Sequence, residues 1–378
     1  MEYLNNNENK LNKLKEVNKK LGLENIENNY KHSNIIFVYS VPKVGSTSLV
    51  SSLKLFVFFG FVIIHIHSEI MLECFSKVKD ITVVELINYN GLFLKRNVFV
   101  IDIYRSPIEH KISTFFENIS SFHFNTTDEL LNNYDLKRII KRFNLIFPYI
   151  AVGDIFIDKY NIDEKFSFDH EKKYIFFNLN GVKYIKLRLD NVNEWRKILN
   201  KLLGIDIVII KDYSSSNKPI KNIYNQFIQN YKIPNNFLSL INSCKYLNYY
   251  YSSDEKLKYL NTWSLKSSNE NFNYMNENEF LLYNEISLEN QSNSFIDTTH
   301  YIYNGCVCKA CLFKRQTIIK KLLNNQDITK EIEEKIIHEN ENNKLVTNKN
   351  NEIKNKIRTL ILKKNSTNKT NKKSQIII

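Results

Sequence analysis

Alanine is nearly missing from this chain, occurring only at Ala151 and Ala310 in 378 residues. Glycine (8), proline (5), methionine (3) and tryptophan (2) are scarce too, which excludes collagen-like and Pro/Gly-rich low-complexity architectures. Five cysteines stand at positions 74, 244, 306, 308 and 311, too few and too unevenly placed for a disulfide framework. The longest apolar run, Leu55 to Ile64, is ten residues, against the ~20 a membrane-spanning helix needs. The opening MEYLNNNENKLNK lacks the apolar stretch of a signal peptide. These absences set the expectation of a soluble, cytoplasmic protein with no membrane span and with reduced thiols.

Hydrophobic residues make up 43% of the chain, including 25 Phe and 22 Tyr, so a substantial core is expected and disorder throughout is excluded. The excess of Asn, Lys, Ile and Tyr fits AT-rich coding, and the Asn runs carry little structural information. Net charge is +13, unevenly spread: residues 344–378 hold ten Lys/Arg and one acid. Such a tail is a solvated arm or a contact for an anionic partner. No base-reading motif marks it as a nucleic-acid reader.

Three regions emerge from the pattern. Residues 1–33 form a polar extension with Leu11, Leu14, Val17 and Leu21 at helical spacing, predicting a short amphipathic helix, packed or frayed. Residues 34–263 alternate strands and helices. IIFVYSV and NVFVIDIY (97–104) read as buried parallel strands, and FVFFGFVIIHIH as a third. Helices are predicted over Glu69–Lys77, from Ile108 to about Ser121, and around Leu130–Phe143. KKYIFFNLNGVKYIKLRL predicts a hairpin turning at Asn180-Gly181. Asn193 is the expected cap of EWRKILNKLLG, which stops at Gly204, and IDIVII (205–210) reads as strand-like. The alternation implies an α/β fold with a mostly parallel sheet. Residues 264–378 form an Asn/Lys-rich, low-complexity extension with a cysteine patch, a helical stretch near Ile318–His338 and the basic tail. His300, Cys306, Cys308 and Cys311 could supply four soft metal ligands, although structural zinc sites usually show two separated ligand pairs and this cluster is single and compact.

The segment Tyr39-Ser-Val-Pro-Lys-Val-Gly-Ser-Thr-Ser-Leu49 carries the most chemistry. A buried strand runs through a tight loop into a helix, and successive backbone N–H groups at such a helix start form an anion cradle. Lys43 adds a positive charge, and Ser46, Thr47 and Ser48 add hydroxyls. A triphosphate-binding loop would read GxxxxGK[ST]; here Lys43 precedes Gly45, and that pattern is absent. The same residues also fit an ordinary strand–turn–helix with a Ser-rich cap. A second element, Tyr104-Arg-Ser-Pro-Ile-Glu-His-Lys-Ile-Ser113, places Arg105 just past a parallel strand, where open α/β sheets bind ligands. Ser113 lies about two turns into the following helix.

Taken together, PKVGSTSL and YRSPIEHKIS resemble the two cofactor-binding motifs of the P-loop sulfotransferases, the 5′-phosphosulfate loop and the 3′-phosphate motif. The likeness is strongest to carbohydrate sulfotransferases of the uronyl 2-O type. The stretch SNKPIKNIYNQF…CKYLNYYYSSDEKLKYLNTW is similar to a family assigned to capsular polysaccharide synthesis, which shares this loop. The resemblance covers residues 34–263. It implies a three-layer P-loop fold and transfer of a sulfuryl group from 3′-phosphoadenosine 5′-phosphosulfate (PAPS) to a hydroxyl of a carbohydrate or polysaccharide acceptor, with no metal required. Lys43 would meet the oxygen bridging sulfur to the 5′-phosphate; Val44, Gly45, Ser46, Thr47 and Ser48 would surround that phosphate; Arg105 and Ser113 would hold the 3′-phosphate. The acceptor hydroxyl needs a base. His65 and His67, two residues apart on one strand, share a face, and His65 is the first choice, His67 the second; strand-edge histidines without a catalytic role are the alternative. Glu69 is a weaker base candidate, and Asp102 reads as buried and structural. Asn217, Lys218 and Lys221 stand where the capsular family has Asn-Lys-Trp-Tyr-Ser; here the aromatic pair is missing. A capsule-synthesis factor using another donor, and a non-catalytic nucleotide-fold binding protein with a basic tail, are the alternative functions.

Overall fold

The computed structural model describes residues 8–23, 34–54, 61–204, 206–210 and 219–294. Asn217, Lys218, His300, Cys306, Cys308, Cys311, the 318–338 stretch and the basic tail lie outside the described residues. The chain divides into two units, the first reaching to Leu281. Residues 264–281 therefore belong with the first unit, which also holds the central sheet and both sequence motifs.

Five strands form one sheet: β1 (Asn34–Tyr39), β2 (Phe61–Ile66), β3 (Asn97–Tyr104), β4 (Tyr174–Leu179) and β5 (Val182–Arg188), in the order β2-β1-β3-β5-β4. All neighbours are parallel except β4–β5. That pair is the predicted hairpin. Asn180 (φ 54°) and Gly181 (φ 78°) both take the left-handed conformation, as a two-residue turn between twisted strands demands.

Strand alternation divides the core. Ile36 and Val38 of β1, Phe99, Ile101 and Ile103 of β3, and Ile185 and Leu187 of β5 face one side. There they meet Leu49, Val50 and Leu53 of a helix at Ser46–Lys54 and Trp195, Ile198, Leu199 and Leu203 of a helix at Trp195–Leu203. Gly204 ends the latter helix at φ 72°, as predicted. Its start differs from the expected Asn193 cap: a tight helical turn over Leu189–Glu194 runs straight into Trp195 with no side-chain cap. The expected strand at 205–210 is also absent over the described 206–210. Ile207 is buried in the core, but its N–H is taken by Asn200 Oδ1 (2.6 Å) and that of Ile210 by Ser52 Oγ (2.9 Å), so side chains satisfy backbone groups that a ladder would otherwise have used.

The polar N-terminal segment forms a helix, Glu8–Lys20, docked rather than frayed. Leu14 and Val17 are buried, and the Asn18 and Asn90 amides donate to each other at 3.1 and 2.9 Å. The helix after β3 runs Pro107–Phe115, shorter than predicted, because Asn118 leaves helical dihedrals and a separate turn over Ile119–Phe124 closes on left-handed Asn125. Beyond β5 the described residues are mainly helical, with helices at Lys221–Asn230, Asn235–Asn242, Lys245–Tyr250 and Ser253–Ser264, the last opened by a Ser252/Glu255 capping box, and with one short parallel pair, Ile233–Pro234 beside Ser267–Ser268. No helix among the described residues is long and apolar enough to cross a membrane.

His110 and His123 are buried, and burial holds their imidazoles down to about pH 4 and about pH 3 respectively. Burial also holds His65 down to about 3 and lowers His67. Unfolding frees all four to protonate below their ordinary 6.5, so from pH 6.5 downwards the unfolded chain binds at least three protons that the folded one does not. Asp102, raised by burial against the Lys186 charge that holds it down, opposes this with at most one proton. The net of at least two protons predicts a stability loss of about 2.7 kcal/mol per pH unit between pH 6 and 4.5. Denaturant titrations at those two pH values check it; equal or greater stability at the lower pH contradicts it.

Candidate anion site at the sheet switch point

β1 has β2 on one side and β3 on the other, and its following helix packs on the first face, in a cluster that contains no residue of the helix after β3. Adjacent strands whose connections diverge leave a crevice at their carboxyl ends, the usual ligand site of open α/β sheets. Both motifs singled out in the sequence end there.

The loop after β1 is shaped by two left-handed residues, Lys43 (φ 68°) and Gly45 (φ 88°), and Ser46 then opens the helix. A Cβ on Gly45 would lie 2.7 Å from Leu189 Cδ1. That side-chain end can shift, so the left-handed backbone dominates the cost of Gly45→Ala, a loss of about 1–2 kcal/mol, readable as a lowered denaturation midpoint. Ser46 is buried, Ser48 half-buried and Thr47 exposed. The first N–H groups of such a helix have no intrahelical acceptor.

Two side chains from the second motif brace this loop through its carbonyls. Arg105 Nη1 donates to Lys43 O (2.8 Å), and His110 Nε2 donates to Pro42 O (2.8 Å). Lys43 Nζ lies 2.7 Å from Glu117 Oε2. Ser113 is buried in the Pro107–Phe115 helix. At that helix's start the Ile108 N–H donates to Tyr259 OH (3.0 Å), while Tyr259 OH and Trp263 Nε1 donate to Glu109 (2.7 and 2.9 Å).

His65 and His67 lie together at the end of β2, ring centres 4.5 Å apart, but in different surroundings. His67 sits beside Ser40, and its Nδ1 donates to Ser40 O at 2.7 Å. Burial, then the nearby Lys43 charge, lowers its pKa against that hydrogen bond. A neutral ring with its proton on Nδ1 leaves Nε2 as a bare acceptor. His65 is pushed down to about 3 by burial, His67 and the Lys54 charge, and its buried Nε2 has no hydrogen-bond partner among the described residues. Glu69 accepts from Tyr39 OH (3.2 Å) and pairs with Lys159 (3.6 Å). Lys221 opens its helix, exposed.

No family model, curated protein or solved structure matches this chain. The chemistry available to the site is that of its own residues. A loop with a helix start, a lysine and an arginine at one crevice fits a phosphorylated or sulfated ligand, and a neutral histidine beside it can accept a proton. Among the described residues no group of three or more His, Cys, Asp or Glu is placed to hold a metal.

Sequence reasoning read Asp102 as buried and structural, as it is, but missed the charges grouped with it, Lys186 and Asp154. Lys186 Nζ lies 2.5 Å from both Asp102 and Asp154, all three buried, and Tyr250 OH donates to Asp154 (2.8 Å). The signal was present: Asp102 and Lys186 each interrupt an apolar strand, and in the β3–β5 register they are direct partners. Arg188 and Glu255, a two-pronged pair at 2.8 and 2.9 Å, tie β5 to the Ser253–Ser264 helix.

Proposed function

We propose that the protein is a PAPS-dependent sulfotransferase acting on a carbohydrate hydroxyl, built on a three-layer P-loop fold. The observation that carries the reading is the joining of the two motifs: the Arg105 guanidinium bonds the main chain of the Lys43 loop at the β1/β3 switch point. Two phosphate-binding elements locked to each other suit a donor with phosphates at both ends of one nucleoside. Gly45, Ser46, Thr47 and Ser48 hold the 5′-phosphate with Val44 behind, and Arg105 and Ser113 hold the 3′-phosphate.

His67, rather than His65, is the base in this reading. Its Nε2 takes the proton from the acceptor hydroxyl as that oxygen bonds to sulfur. The bond from sulfur to the bridging oxygen breaks, and the electrons settle on the 5′-phosphate of adenosine 3′,5′-bisphosphate. Lys43 stabilises that oxygen, exchanging its Glu117 partner for the leaving group. Charge stabilisation of this kind is worth several kcal/mol, where ~1.4 kcal/mol is tenfold in rate. His65, desolvated and edge-on to His67, positions that ring. Incubation with radiolabelled PAPS and a panel of polysaccharides should label at least one polymer. Labelling of none, with protein that binds the nucleotide, removes the carbohydrate acceptor; failure of both removes the donor as well.

A further inference from the structure

A cavity of about 290 Å³ adjoins the Pro107–Phe115 helix, lined by Tyr104, Arg105, His110, Lys111 and Phe147 among others. Pro107, His110 and Lys111 line it and Ser113 does not, and it shares Val41, Val44 and Arg105 with the phosphate loop and its brace. Two of its polar groups lack the partners their burial calls for. The Tyr104 hydroxyl, in a side chain more than nine-tenths buried, has no hydrogen-bond partner among the described residues. Lys111 is equally buried, and its ammonium is held by the carbonyls of Ile150 (2.6 Å) and Pro148 (3.4 Å) and by the Phe147 ring (5.1 Å). No carboxylate pairs with it among the described residues. A buried cation without a counter-ion is costly, and burial lowers this ammonium to about 8. Asp154, the acid that also lines the cavity, is already engaged by Lys186 and Tyr250. The segment supplying the Ile150 carbonyl continues through Ala151, a non-glycine residue at φ 51°, the kind of backbone strain that gathers at ligand sites.

We propose that this cavity is a second binding site, for a small carboxylate carried on an apolar body, with the carboxylate on the Lys111 ammonium and the Tyr104 hydroxyl. Of the other cations in the lining, Arg105 is bonded to the Lys43 carbonyl and Lys245 to Asp158, so the Lys111 ammonium and the Tyr104 hydroxyl among walls such as Val41, Val44 and Ile241 match a monoanion with an apolar remainder better than a dianion. Arg105 and His110 line the cavity and also brace the Pro42 and Lys43 carbonyls, so occupancy is coupled to the phosphate loop. The site goes beyond the sulfuryl-transfer reading and does not depend on it.

Titration of the full chain with benzoate and its neutral isostere benzamide, followed by calorimetry, tests the proposal. Benzoate should saturate one site and bind about tenfold more tightly than benzamide, as expected of a charge-assisted contact. Tyr104→Phe removes a hydroxyl that has no partner among the described residues, so the unfolding midpoint should hold or rise while benzoate binding weakens about threefold or more. Lys111→Met should remove the preference for benzoate. Equal affinity for the two probes, no benzoate binding to the wild type, or an unchanged affinity in Tyr104→Phe would overturn the proposal.

Discussion

Lys186→Met is expected to lower the unfolding free energy by about 3–5 kcal/mol, because it leaves two buried carboxylates without their cation. Lys186 and Asp102 are fully buried and Asp154 almost so, and the ammonium touches both acids at 2.5 Å. Rings of Tyr250 and Phe156 lie 4.9 and 5.4 Å from the same ammonium. Asp102 also accepts its neighbour's N–H, from Ile103 at 2.6 Å, and Asp154 caps the next helix through Ile157 N–H at 3.0 Å. Adding Asp102→Asn and Asp154→Asn to the lysine change should recover part of the loss, since asparagine caps a helix about as well as aspartate and neither amide needs a counter-ion. Urea midpoints of the single and triple variants measure this. A neutral single change would mean that the three charges do not depend on one another.

His67→Ala should reduce sulfuryl transfer by about 10²–10⁴-fold, the range for loss of a general base, with little change in nucleotide affinity. His65→Ala should cost less, since its ring acts through His67. The pH profile separates a base from a packing residue. Burial and the Lys43 charge hold His67 below its ordinary 6.5, so the wild-type rate should persist below pH 6.5 before falling on an acid limb. His67→Ala should flatten that limb. A larger loss from His65→Ala, or an unaltered limb in the His67 variant, would reverse the assignment.

The parallel strands were legible because their burial is continuous: IIFVYSV and NVFVIDIY have no polar face, which only a doubly covered strand tolerates. The hairpin was legible from Asn180-Gly181, and the end of the Trp195–Leu203 helix from Gly204, since both require left-handed backbone. IDIVII misled for the opposite reason. Its composition suits a strand, but Asn200 and Ser52 occupy its backbone groups, and no composition reports that. Within the site, the two motifs were visible as residue strings, whereas their contact, Arg105 to the Lys43 carbonyl, is a tertiary fact. The two histidines were visible as a pair; only the hydrogen bond from His67 Nδ1 to Ser40 distinguishes them. Glu117, the partner of Lys43, lies 74 positions away and gave no sign in the sequence.

Calorimetric titration with adenosine 3′,5′-bisphosphate at fixed salt, on the wild type and on Arg105→Ala, tests the central claim most directly. One saturable site is predicted in the wild type, weakened at least about tenfold when the guanidinium is removed. Absence of binding in the wild type, or the same affinity in both proteins, would contradict it.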